Sequence, residues 1–302
     1  MIETPYAPAP PGPMPFRLLL DEALRQARRN FRAIYPAVAV PVAIVSSAMA
    51  ALQAVWFSRM TLDLSTPNAG FLSPGYFLVL LFQIALFVVA GNALQVGALD
   101  AANGRPVDMG RAWRFSLQGR VLVTLVLSLV LSLAAFFCCC LPALVVVPML
   151  SLVPAVMVEE GSFLVRALSR SIDLTTYRPH GRWQEMALFR VLLVIFVGLL
   201  LAYLVGILVS LPFQVPMYID LFRHAAAGED MVRRMSSWIW LQVPAQFLNA
   251  LATQAVSVYT SFCIALLFHD ARGRKEGTDL RQEIDSMFAP PPSPPYSGEP
   301  AP

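Results

Sequence analysis

The longest uncharged run of the sequence extends from Val121 to Val158 and contains 38 residues. As one straight helix it would be about 57 Å long, almost twice the hydrocarbon thickness of a bilayer. We therefore expect the run to double back on itself, with Leu141-Pro142 as the natural break because proline interrupts helical hydrogen bonding. The hairpin predicts two membrane crossings, at about residues 121–140 and 143–158, the second open to bending at Pro148 and Pro154.

Other uncharged stretches are each long enough to cross a bilayer once. The sequence is 57% hydrophobic and only 14% charged, whereas a soluble domain is about 25% charged. We therefore predict an all-α, polytopic transmembrane bundle. Its six spans are expected at about 34–57, 76–99, 121–140, 143–158, 191–211 and 245–268.

The distribution of arginine and lysine orients these spans, because cytoplasmic flanks and short loops collect basic residues. With the hairpin, 18 of the 22 basic residues fall on the side of the two termini and 4 on the other side. If the long run crossed only once, the numbers would be 12 and 10. The bias predicts six crossings in an inner, cytoplasmic membrane with both termini in the cytoplasm.

Proline-rich segments occupy both ends of the chain. Residues 1–15 and 289–302 are expected to be disordered tails around a membrane domain at 16–288, since neither can bury a core. The acid and prolines of the first segment also do not resemble a secretory leader, so we expect no cleavage there.

Three polar segments on the expected cytoplasmic side have the spacing of amphipathic helices. The first, FRLLLDEALRQARRNFRAI, should lie along the membrane surface before span one begins. The second groups Met109, Trp113 and Leu117, and the third groups Leu164, Ala167 and Leu168. Arginines on their other faces predict binding of anionic lipid headgroups. A net charge of only +3 does not favour nucleic acid as a partner.

Residues typical of catalysis or of metal binding are sparse. No predicted span contains an ionisable side chain, and the three histidines, His180, His224 and His269, are far apart in sequence. Cys138, Cys139 and Cys140 diverge by about 100° each on a helix, so they are interpreted as small apolar residues rather than as metal ligands. We expect no enzyme activity, cofactor or metal.

One stripe of polar residues follows the sixth predicted span at helical spacing. The simplest interpretation is hydrogen bonding between helices, to which Asn92, Gln95 and the small residues of span one could contribute. A solute path along the stripe is the alternative. The stripe consists of Gln246, Asn249, Thr253, Ser257 and Thr260.

Two polar segments resemble a known family. EEGSFLVRALSRSIDL is similar to the Glu-Gly and Ala-Leu-x-Arg-Ser pattern of the glycerophosphoryl diester phosphodiesterase membrane domain, and LLFHDARGRKEGTDL is similar to its C-terminal ending. His269 stands near the position where the family usually has tyrosine. The resemblance implies a six-span bacterial membrane domain without the phosphodiesterase active site, which belongs to a separate soluble domain. The signature residues are Glu160, Arg170, Ser171, Asp270, Arg272, Arg274 and Glu276.

Asp270 is the signature residue whose position most needs an explanation. If span six ends there, the helix dipole disfavours a carboxylate, which then requires a nearby cation. We hypothesise that Asp270 pairs with Arg170 or Arg272 and so joins the end of span six to the segment after span four. A solvated turn is the alternative.

Two functional interpretations fit these features. The first is a non-catalytic scaffold or regulatory subunit whose cytoplasmic face binds anionic lipid, or a membrane or soluble protein partner. The second is a transport component that passes a neutral or lipidic solute along the stripe of span six.

Overall fold

The computed structural model describes residues 15–62, 74–138, 140–177, 186–225 and 238–288. Within these ranges the chain forms helices and no strand. A single 3-10 turn, Ile239–Leu241, precedes the last helix. The α-helices are α1 (Phe16–Leu62), α2 (Pro74–Ala102), α3 (Met109–Ser116), α4 (Gly119–Cys138), α5 (Cys140–Leu150), α6 (Val153–Glu160), α7 (Leu164–Thr176), α8 (Ala187–Ala225) and α9 (Gln242–Phe288).

Six helical segments are long and apolar enough to cross a membrane, which confirms the predicted all-α polytopic bundle. Large apolar side chains cover much of the outer surface, as expected where lipid rather than water is the solvent. The segments are Phe16–Val55, Phe77–Ala102, Gly119–Cys138, Pro142–Glu160, Ala187–Arg223 and Ile239–Gly277.

The long uncharged run does form a hairpin, between α4 and the pair α5 and α6. The backbone N–H of Leu164, just after the hairpin, donates to Thr124 Oγ1 near its beginning, at 3.0 Å. The two ends of the run therefore lie side by side. The structure describes α4 up to Cys138 and α5 from Cys140, and Pro142 lies in the first turn of α5. Proline is well accommodated in a first turn, where its missing N–H is not needed.

The returning arm of the hairpin is bent between α5 and α6. Ser151 and Leu152 form a turn in which both the backbone N–H and the hydroxyl of Ser151 donate to the carbonyl of Pro148. Pro154 lies in the first turn of α6 and has no N–H to continue the helix from α5. The bend expected at these prolines is therefore a complete helix interruption.

The first amphipathic segment is not a separate helix, contrary to expectation. It is continuous with span one in α1, a helix of 47 residues. Its Leu19, Ala23 and Ala27 are buried in the core of the protein. The hydroxyl of Tyr35 donates to the carbonyl of Leu251 in α9 at 3.1 Å. The apolar face of this segment thus packs against the protein rather than against the membrane surface.

The two shorter amphipathic segments, α3 and α7, bury three of the six apolar residues that the spacing grouped, and Trp113 is half-buried. Met109 is buried, but Leu117 is exposed because α3 ends at Ser116. Ala167 and Leu168 are buried, but Leu164 is exposed and has a φ of 53° at the first position of α7. Both errors fall at helix ends, where the helical spacing used for the prediction no longer applies.

The hairpin can be tested by placing single cysteines in a variant whose native cysteines are replaced by alanine. Gln118 and Ser169 are exposed on either side of the hairpin, and Arg223 is exposed near the far end of α8. A membrane-impermeant thiol reagent should label Gln118→Cys and Ser169→Cys in vesicles of one orientation and Arg223→Cys in the opposite orientation. Labelling of Gln118→Cys and Ser169→Cys from opposite sides would contradict the fold.

Candidate functional site

Charged residues gather where α2 and α6 end, where α8 begins, and along α3, α7 and the later part of α9. We call this region, together with the first part of α1, the charged end. Residues 15–33, 100–120, 159–177, 186–190 and 269–277 carry fifteen basic and nine acidic side chains. Five of the nine carboxylates are less than one fifth exposed, namely those of Glu22, Asp100, Glu159, Glu160 and Asp270.

Asp100 is the centre of a first group of ion pairs. Its side chain is 0% exposed and lies in the last turn of α2, where the helix dipole disfavours negative charge. Arg111 of α3 donates to both of its carboxylate oxygens. The hydrogen bond, and then the charge, of Asp100 raise the pKa of Arg111 above its ordinary value. The guanidinium therefore stays charged and fixes α3 against α2.

Glu159 connects the same group to the end of α6. Asn103 Nδ2 donates to Glu159 Oε1 at 2.8 Å, and Arg105 Nη1 lies 3.6 Å from that oxygen. Arg105 also lies 4.0 Å from Asp100. The loop after α2 thus holds the second arm of the hairpin.

Arg170 of α7 is the centre of a second group. Its Nε donates to both carboxylate oxygens of Glu160 at 3.1 Å, and its Nη2 donates to Glu276 Oε1 at 3.1 Å. Arg272 donates to the same Glu276 oxygen at 2.8 Å. Lys275 of α9 donates to Asp173 of α7. The later part of α9 is therefore joined to the segment after span four through Arg170, as expected from the sequence, but with Glu276 rather than Asp270 as its partner.

The predicted pairing of Asp270 with Arg170 or Arg272 is wrong. Asp270 Oδ2 accepts from Arg190 at 3.0 Å and from Arg274 at 2.9 Å. The helix dipole does not account for these pairs, because α9 does not end at Asp270 but continues to Phe288. Burial is the actual reason for the pairing, since the Asp270 side chain is only 5% exposed.

Glu159 and Glu160 lie at the end of a helix rather than before the start of one. They form the last turn of α6. Gly161 then takes a left-handed φ of 60° and separates them from α7. The ion pairs with Arg105 and Arg170 offset the unfavourable dipole at this helix end.

Ser171, another signature residue, is buried and connects α7 to α5. Its hydroxyl donates to the carbonyl of Met149, one residue after Pro148. The role of Ser171 in the structure is thus a packing contact beside a break in the helix.

Asp100, Glu159, Arg105 and Arg190 belong to the charged end but were missed from the sequence. The sequence does contain a signal for Asp100. Like Asp270, it is the first charged residue after a long apolar run. No comparable signal identifies Arg190, which is 80 positions from its partner.

The polar stripe of α9 packs against small residues of α8. A Cβ added to Gly198 would lie 2.8 Å from Thr260 Oγ1, and one added to Gly206 would lie 3.0 Å from Asn249 Oδ1. The hydroxyls of Thr253, Ser257 and Thr260 donate to carbonyls of their own helix. The stripe therefore allows close helix contact, in part as expected, but these three hydroxyls do not donate between helices.

Two of the cavities along the stripe share no lining residue. Gln246 and Asn249 line a space of about 80 Å³ beside Trp238. Ser257 and Thr260 line a larger space of about 360 Å³ between α2, α4, α8 and the bend from α5 to α6. Thr253 lines neither of these two spaces. The five residues thus share a helix face without lining one continuous space.

Sequence comparison gives distant bacterial relatives. The chain is 27% identical over 165 residues to uncharacterized proteins of Mycobacterium bovis and Mycobacterium tuberculosis. The alignment covers 54% of this chain and 49% of each relative, so the chain spans about half the length of the curated relatives it matches. No family model matches the chain, and no solved structure matches it.

Asp270→Asn tests whether the charged end depends on its buried carboxylates. The substitution removes the negative charge between Arg190 and Arg274, and we expect it to lower the free energy of unfolding by about 3 kcal/mol or more. The measurement is equilibrium unfolding in mixed micelles with increasing dodecyl sulfate. Asp173→Asn is the matched control, because the Asp173 side chain is 52% exposed and its pairs should contribute about 1 kcal/mol or less. Equal losses in both variants would contradict the assigned role of Asp270.

Proposed function

We propose that this chain is a non-catalytic scaffold or regulatory subunit of a bacterial inner membrane, and that its charged end binds anionic lipid headgroups from the cytoplasmic side. The proposal includes both termini in the cytoplasm and a relationship to the glycerophosphoryl diester phosphodiesterase membrane domain. The proposal rests on one observation: at the charged end, the acidic side chains mostly face inward, whereas many arginines face outward.

The carboxylates of the charged end mostly face inward, whereas many arginines face outward. Asp100, Glu159 and Asp270 are the most deeply buried acids, and each is engaged by arginine. Exposed arginines surround them on α1, at the start of α4 and on α7: Arg17, Arg28, Arg32, Arg120 and Arg166. The outer surface is therefore more basic than the net charge of +3 indicates.

Anionic headgroups are the partner that this surface fits best. Arginines next to a membrane attract them at about 1 kcal/mol each, and guanidinium groups donate several hydrogen bonds to phosphate oxygens. The arginines lie on helices rather than on long loops, so binding requires little ordering of the protein. Ion pairs of Arg170 and Asp173 fix the orientation of one of these helices, α7.

The division of the stripe favours this function over solute transport. A path along α9 would need one space that includes residues from Gln246 to Thr260. In the described part of the chain, Thr253 lies between the two cavities and lines neither of them. Beside the smaller cavity, Gly206 of α8 approaches Asn249 closely, so α8 and α9 are in contact there.

Arg32→Gln tests the lipid-binding surface. Arg32 is exposed near the end of the charged part of α1, and its loss should weaken binding of phosphatidylglycerol about fivefold, which corresponds to about 1 kcal/mol. The measurement is native mass spectrometry of the protein in mixed micelles at several lipid fractions. Binding of phosphatidylcholine should be unchanged, and added salt should reduce the preference for the anionic lipid.

Arg223→Gln is the matched control for this experiment. Arg223 is also an exposed arginine, but it lies near the other end of α8, 33 positions after Arg190. Equal effects of the two substitutions, or a wild-type protein without preference for the anionic lipid, would contradict the proposal. A stoichiometric protein released only from wild type would instead indicate that the arginines bind a protein partner.

A further inference from the structure

The larger of the two cavities along the stripe has a polar wall at the depth of the membrane spans. It has a volume of about 360 Å³ and lies between α2, α4, α8 and α9, with Ser151 and Pro154 closing it at the bend of the hairpin. None of the described residues that line it is charged. Water occupies about 30 Å³ per molecule, so the space is large enough for a lipid headgroup.

Asn92 and Gln95 line this wall, and the side-chain oxygen of each is buried and has no hydrogen-bond partner among the described residues. Asn92 is only 2% exposed, and its Nδ2 donates to Ser116 Oγ at 2.7 Å while its Oδ1 accepts nothing. Gln95, one turn further along α2, has a buried Oε1 that also accepts nothing. A buried acceptor without a donor is costly, by about 1–3 kcal/mol in proteins. A ligand that supplies donors removes this cost.

Three serine hydroxyl groups of the wall add further acceptors. Ser128 donates to the carbonyl of Leu125, Ser151 to that of Pro148, and Ser257 to that of Thr253. Their hydrogens are thus used within the protein, and their oxygens remain as acceptors. The wall therefore suits a ligand whose polar part includes a hydrogen-bond donor.

The rim of the cavity is apolar and faces the outside of the bundle. Phe87 of α2 and Leu199 of α8 line it, and they are 40% and 66% exposed. Both lie in membrane-spanning segments. A molecule in the cavity can therefore extend an apolar part past this rim into the bilayer.

We propose that this cavity binds a neutral lipid with a free hydroxyl group, of the diacylglycerol type. Its single hydroxyl donates to Asn92 Oδ1 or Gln95 Oε1, and the acyl chains leave between α2 and α8. An anionic phosphate would bring a charge into a space without any cation among the described lining residues to compensate. The ligand thus differs in charge from the lipids assigned to the charged end, and the inference does not depend on that function.

The test uses purified full-length protein in nanodiscs that contain a photoactivatable diacylglycerol. Illumination should crosslink the probe to peptides around Gly91–Gln95 and Ser257–Ser261. A phosphatidic acid probe with the same chains should label these peptides about tenfold less, because it replaces the hydroxyl donor with a charged acceptor. Equal or stronger labelling by phosphatidic acid overturns the proposal.

Two variants connect the labelling to the cavity. Gly91 lines the space, and a Cβ added there meets nothing within 4 Å. Gly91→Leu should therefore fill the cavity without a clash and reduce labelling about tenfold. Gln95→Leu keeps a side chain of similar size, removes one acceptor, and should reduce labelling about fivefold.

Gly273→Leu is the matched control, since Gly273 also has no neighbour within 4 Å of an added Cβ but lies in α9 beyond the stripe. It should label like wild type. Unchanged labelling in Gly91→Leu, verified to be folded by thermal unfolding, overturns the proposal and leaves water as the occupant. If Gly91→Leu does not fold, Gln95→Leu decides in the same way.

Discussion

Two carboxylates removed from water, Asp100 and Asp270, determine how the charged end is built. A buried carboxylate without a partner would cost several kcal/mol, so each position requires arginine from another helix or loop. Asp100 fixes α3 through Arg111, and Asp270 fixes the start of α8 through Arg190. Both helices contribute to the wall of the larger cavity or support it, so the geometry deeper in the bundle depends on these pairs.

The same pairs explain why the surface of the charged end is basic. Each buried acid is neutralised by an arginine that it holds in place, and many of the remaining arginines lie on the outside. Arg17, Arg28 and Arg32 follow this pattern along α1. Lipid phosphates are the natural counterions for such groups at a membrane surface.

The span architecture could be predicted because bilayer thickness imposes a length on every apolar segment. The run from Val121 to Val158 was almost twice that length, and this alone required the hairpin. The partner of Asp270 could not be predicted in the same way. It depends on where the start of α8 lies in three dimensions, and Arg190 is no nearer to Asp270 in sequence than many other arginines.

Helical periodicity likewise predicted the polar face of α9 but not what this face contacts. Gly198 and Gly206 of α8 decide that question by letting the two helices approach at Thr260 and Asn249. The continuous helix α1 shows the same limit of local patterns. Its first half has an amphipathic spacing suited to a membrane surface, yet the apolar side packs on protein, because Leu19 and other apolar residues of that side find a complementary surface there.

Helix α3 joins the two regions to which function is assigned. Arg111 near its beginning is held by Asp100, while Ser116 at its end accepts from Asn92, a residue that lines the larger cavity. The Ser116 hydroxyl in turn donates to the carbonyl of Ala112 at 2.8 Å, which fixes it to the same short helix. A lipid that binds Asn92 would therefore orient an amide already connected to α3. Helix α3 is thus an element that both sites share. Binding of a neutral lipid in the cavity can affect binding of an anionic lipid at the charged end only if both ligands favour the same arrangement of such an element.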